Sequence, residues 1–113
     1  MIRDDTIYLR HIQDAINRIE EYVNGLDHKR FMYSSLVQDG VIRQFEIIGE
    51  ATKNLTSTFK EGYPEMPWKD IAGMRNKLIH QYFGVDIAAL WDTVVQDLPD
   101  FKIQIARILS SVS

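Results

Sequence analysis

The stretch SSLVQDGVIRQFEIIGEATKNLTSTF, residues 34 to 59, decides how the rest of the chain must fold. After a leading Leu36-Val37 pair, its apolar residues fall at Val41, Phe45, Ile48, Ala51, Leu55 and Phe59, always three or four apart. That spacing belongs to a helix with one buried side, and it predicts a long helix over roughly Ser34 to Phe59. Gly40 and Gly49 each cost such a helix about 1 kcal/mol against Ala. Gly49 sits among Ile47, Ile48, Glu50 and Ala51, so close approach of a neighbouring helix is the expected reason for it. Glu46 and Glu50 share a face and read as solvated charges or partners of Arg43, with a site role as the alternative.

Toward the N-terminus the same period recurs at Leu9, Ile12, Ile16, Ile19, Val23 and Leu26. Asp4, Asp5 and Thr6 suit the start of that first helix, where carboxylates and hydroxyls meet unpaired backbone N–H groups, and Gly25 suits its stop. Residues 27 to 33 are polar and basic, a loop or a short turn of helix. Toward the C-terminus, Gly62 and Pro64-Glu65-Met66-Pro67 punctuate the chain. Pro67 can open a helix because its missing N–H would be unpaired there anyway. Trp68, Ile71, Met74 and Leu78 then form a third stripe, closed by Tyr82-Phe83-Gly84. Asp86 caps a further helix with Ile87, Leu90, Trp91, Val94 and Val95 inward, and Asp97 and Pro99 restart the chain before Phe101, Ile105, Ile108 and Val112.

No alternating strand pattern, repeat or low-complexity linker interrupts this order. The expectation is an all-α, up-and-down bundle of four to five helices: two long antiparallel ones with two or three shorter ones, in one domain over residues 1–113. The 113 residues contain no cysteine, which excludes disulfides and thiolate metal sites and permits a reducing, cytoplasmic setting. The charged start, Met1-Ile2-Arg3-Asp4-Asp5, leads into no long apolar run, so neither a signal peptide nor a membrane span is expected. A net charge of −3 argues against a protein that grips nucleic acid with its whole surface and leaves room only for local contact.

One segment crowds polar, reactive groups into this apolar pattern: Arg75-Asn76-Lys77-Leu78-Ile79-His80-Gln81-Tyr82. In a helix, Asn76 and His80 share a face, as do Arg75 and Tyr82. Arg75 and His80 stand roughly 140° apart and about 7 Å along the axis, so a ligand can sit between them. An imidazole that titrates near neutrality can take or give a proton, and a guanidinium holds phosphate oxygens in a bidentate fork. Cleavage of RNA by its own 2′-hydroxyl needs these two services and no metal. One such pair lacks a separate general acid, which two copies facing each other across a dimer would supply. Taken alone, the spacing reads first as a helix C-terminus whose basic residues complement its carbonyls and dipole. For Asn76 the alternative is a buried amide that satisfies backbone, and for Tyr82 an aromatic packed at a helix end. Lys77 reads as a solvated charge. Neither a Gly-rich phosphate loop nor a His-Glu-x-x-His pair is present, and His11 and His28 stand apart from other ligand types, so no metal or cofactor is expected.

Arg75-Asn76-x-x-x-His80-x-Tyr82 resembles the signature of the HEPN superfamily (higher eukaryotes and prokaryotes nucleotide-binding domains), and most closely that of HepT-like toxins. Ile47-Ile48-Gly49-Glu50-Ala51, Pro67-Trp68 with Ile71-Ala72-Gly73-Met74, and Val85-Asp86 with Trp91 agree in order and spacing, over nearly the whole chain. The resemblance implies a helical bundle that dimerises so that both Arg–His pairs line one cleft, acting as a metal-independent ribonuclease. It further implies a toxin–antitoxin module in which a minimal nucleotidyltransferase antitoxin transfers AMP to Tyr82. In that frame Arg75 binds the scissile phosphate, His80 is the general base or acid, and Asn76 orients the imidazole or the substrate. The alternative is a non-catalytic HEPN module that binds nucleotide or docks a nucleotidyltransferase partner.

Overall fold

A computed structural model describes residues 4 to 80 and 86 to 112, with the side chains of all of these except 75 to 80. Among the described residues the chain is all-α and contains no strand. The helices are α1 (Asp5–Val23), α2 (His28–Tyr33), α3 (Ser35–Asn54), α4 (Ser57–Glu61), α5 (Trp68–His80), α6 (Ile87–Asp92) and α7 (Leu98–Val112). A π-helical turn, Thr93–Asp97, joins α6 to α7.

Side-chain caps set most of the joints. Asp4 accepts from the Thr6 N–H at 3.0 Å and from the Thr6 hydroxyl, which together hold its carboxyl below the ordinary range, the hydroxyl contributing most. Asp27 accepts from the Arg30 N–H at 2.8 Å to open α2, and Ser34 from the Val37 N–H at 3.3 Å to open α3. Asp86 opens α6 through the Ala89 N–H at 3.0 Å. α1 ends two residues before Gly25, whose φ of 79° lies in the left-handed region that glycine enters without penalty.

Long-range contacts fix the directions. Asp5, at the start of α1, accepts both the N–H and the hydroxyl of Thr56, just beyond the end of α3, each at 2.8 Å. At the other end, a Cβ on Gly40 would lie 3.1 Å from the ring of Tyr22, so early α3 approaches late α1 closely. The two long helices are therefore antiparallel. α5 starts beside α4, because the Trp68 Nε1–H donates to the carbonyls of Lys60, in α4, and Tyr63, just after it, both at 3.1 Å. It then runs back along α3. Lys102 of α7 pairs with Glu20 of α1 at 2.7 Å and Tyr63 bonds Ser111 at 2.9 Å, which sets α7 antiparallel to α1. Leu9, Ile12, Ile16 and Ile19 of α1, Val41, Phe45 and Ile48 of α3, Trp68 and Ile71 of α5, and Leu98, Ile105 and Ile108 of α7 fill the core.

Two boundaries differ from the sequence expectation. The helix expected to run to Phe59 stops at Asn54, and α4 starts anew with Thr56 as its cap. The Asp5 carboxylate takes the Thr56 N–H that a continuous helix would have needed for its own ladder. Conversely, the chain does not restart at Asp97. Pro99 has no N–H and its ring crowds the carbonyl four residues back; the wider π turn absorbs this, with the Leu98 N–H donating to the Thr93 carbonyl. Val95, expected inward, is 51% exposed there. Gly49 is buried within α3, on the side where Phe45 and Ile48 also lie.

Candidate functional site

α5 begins as the sequence predicts. The Pro67 carbonyl accepts the Ile71 N–H at 3.0 Å, and Trp68 is fastened at both its backbone and its indole. Phe59 flanks the Trp68 ring at a centroid distance of 6.3 Å. Thirteen residues long, α5 carries Arg75, Asn76 and His80 in its last two turns. By register, Arg75 follows Trp68 and Ile71 on one stripe, whereas Asn76 and His80 follow Ala72 and Gly73 on another. Trp68 and Ile71 are buried; Ala72 and Gly73 are half-buried, and a Cβ built on Gly73 would meet nothing within 4 Å. The side chains of residues 75 to 80 lie outside the described atoms, and Tyr82, expected as a modification site, lies outside the described residues.

Two clefts lie beside the helices that hold this segment. One, of about 310 Å³, opens between α3, α5 and the start of α7; its floor is apolar (Phe45, Ile48, Ile71, Leu98) and Asp70, Asp97 and Asp100 stand at its mouth. The other, of about 450 Å³, is a polar groove between α1 and α3, lined by Tyr8, His11, Arg43, Glu46 and Glu50. His11 is exposed and meets the Tyr8 ring edge-on at 6.1 Å, and His28, also exposed, meets Trp91 edge-on at 6.3 Å. Both are surface histidines, as expected, and each has an aromatic neighbour. Among the described residues no group of three or more His, Asp or Glu is arranged to hold a metal ion, and no helix is long and apolar enough to cross a membrane. Sequence reasoning missed the first cleft: its walls come from three separate segments, and no single spacing marks it.

Comparison with known proteins agrees with the motif on α5. The model of the ribonuclease HepT-like family matches residues 12–108. A Methanocaldococcus jannaschii protein, whose name joins gamma-glutamylcyclotransferase to a candidate RNase, is 46% identical over 112 residues, covering 99% of this chain and 50% of its own length. The probable ribonuclease HepT of Thermococcus cleftensis is 47% identical over 102 residues, covering 90% of this chain and 93% of its own. A candidate RNase of Caldanaerobacter subterraneus subsp. tengcongensis is 41% identical over 102 residues, covering 90% and 91%. The chain therefore spans half the length of the first relative and nearly all of the other two. No solved structure gives a significant match. The chain belongs to the ribonuclease HepT-like family, within the HEPN group.

Proposed function

We propose that this chain is a single HEPN-type domain that cleaves RNA without a metal, through Arg75 and His80 at the cleft of a homodimer. The observation that carries the reading is the placement of Arg75 and His80 five residues apart on one helix, α5, in a chain of the ribonuclease HepT-like family. His80 removes the proton from a ribose 2′-hydroxyl. The freed oxygen attacks the adjacent phosphorus, the 5′-oxygen leaves, and a 2′,3′-cyclic phosphate forms. Arg75 holds the phosphate oxygens while charge gathers on them. Asn76, one turn before His80, orients the imidazole or the substrate. The leaving oxygen takes its proton from the second His80 of the dimer, which solves the shortage of acids in one protomer. With a net charge of −3, RNA is held by few phosphate contacts and by base stacking.

The same site is the place of control. A minimal nucleotidyltransferase antitoxin transfers AMP from ATP to the Tyr82 oxygen, releasing pyrophosphate. The added negative charge and bulk beside Arg75 and His80 exclude an RNA phosphate. Induced expression in a host tests the module. Wild type should arrest growth and His80→Ala should not; the cognate nucleotidyltransferase should relieve the arrest, and Tyr82→Phe should make relief fail. Growth unaffected by the wild-type chain, with tight binding to the nucleotidyltransferase, would favour the non-catalytic module instead.

A further inference from the structure

The cleft between α3, α5 and the start of α7 has a composition that neither RNA nor the nuclease chemistry explains. Its floor is the apolar core itself: Phe45, Ile48, Ile71 and Leu98 are each more than nine-tenths buried yet reach the cleft surface. Half-buried Met74 and Phe101 form the walls. Among the described residues of the lining every charge is acidic: Asp70 on α5, Asp97 at the end of the π turn and Asp100 in the first turn of α7. All three are exposed, and none has an ion-pair partner among the described residues. An apolar trough with exposed carboxylates on both rims disfavours phosphate and fatty-acid headgroups alike. It fits an apolar group flanked by cations. At about 310 Å³ it lies at the low end of ligand clefts, enough for one or two large side chains.

We infer that this cleft docks a segment of another protein in which one or two bulky apolar side chains are flanked on both sides by Lys or Arg. The apolar anchors fill the trough over Phe45, Ile48 and Ile71. The flanking cations pair with Asp70 on one rim and with Asp97 and Asp100 on the other. Electrostatic complementarity of this kind sets register and on-rate more than bulk affinity. A second copy of this chain is a poorer occupant. One exposed apolar and basic corner of its surface, Lys29, Arg30, Tyr33 and Leu36, is on the wrong side: Leu36 precedes Phe45 by nine residues, about half a revolution around α3. Inserting that corner into the cleft makes a head-to-tail contact, which builds a ring or a filament and not a twofold pair. The partner's segment would bridge α5 to α7 and so brace the helix that carries Arg75 and His80. The surface itself stands independently of the nuclease reading.

Selection of a random displayed-peptide library on the purified protein tests the inference. Enriched peptides should share large apolar residues with Lys or Arg on either side. Their affinity should fall with rising salt, and by roughly tenfold for the Asp97→Lys, Asp100→Lys protein. Asp14→Lys, a charge reversal at an exposed residue outside the cleft lining, should leave it unchanged, and equal melting temperatures would show that the variants fold. Enrichment of acidic or uncharged peptides, no enrichment at all, or binding indifferent to the Asp97 and Asp100 reversals would overturn it. So would a change in oligomeric state on those reversals, which would make the occupant a second copy.

Discussion

Asp5 shows how much one side chain settles in a small bundle. Its two carboxylate oxygens take the N–H and the hydroxyl of Thr56, 51 residues away and partly shielded from water. That contact stops α3, starts α4 and fastens the beginning of α1 beside both. Thr52, fully buried one turn before the break, gives its hydroxyl to the Ile48 carbonyl at 2.8 Å and so adds no unmet donor to the core. Hydrogen bonds to a charged group contribute about 1.5–3 kcal/mol each when removal leaves the partner unpaired, less where water can replace it. Asp5→Ala should therefore lower stability by about 2 kcal/mol, read as a shift of the urea midpoint at constant slope. Asp5→Asn, which still accepts one bond, should lose less.

At the scale of elements, what was legible in the sequence is what is local. Asp4 and Asp86, read from the sequence as helix starts, each accept from a backbone N–H two or three residues on; Asp27 and Ser34, not singled out there as caps, do the same. The three- and four-residue spacing of Leu9 to Ile19 marks a face that is wholly buried. The Arg75 and His80 spacing was legible for the same reason, since both sit on one helix. Features that depend on distant partners were not. Nothing near Thr56 announces Asp5, the π turn arises from a proline that looked like a helix start, and the acidic cleft draws Asp70, Asp97 and Phe101 from separate segments. α6 is only six residues long, so its cap matters in proportion. Asp86→Ala should cost about 1 kcal/mol, and Asp86→Ser only a fraction of that. Matched thermal melts of the three proteins would check it; an Ala variant as stable as wild type would mean that α6 is held by Leu90 and Trp91 packing alone.

The whole molecule is a slab of 46 × 28 × 23 Å whose long helices lie side by side, with α5 bearing its polar segment in the C-terminal half. A stable core of this kind leaves a helix end free to specialise, because α1, α3 and α7 supply most of the buried side chains. In the proposed reading dimerisation matters at this scale, since one Arg75 and one His80 would supply a phosphate clamp and a single proton-transfer group. Two protomers would supply a base and an acid on opposite sides of the scissile bond. The most direct test uses purified protein, single-stranded RNA and excess chelator. Wild type should cut the RNA and leave 2′,3′-cyclic phosphate ends, while His80→Ala and Arg75→Ala, folded and with unchanged oligomeric state, should each be slower by about 10²–10⁴-fold. Undiminished cutting by either variant, or cutting by wild type only when a divalent metal is restored, would contradict the account.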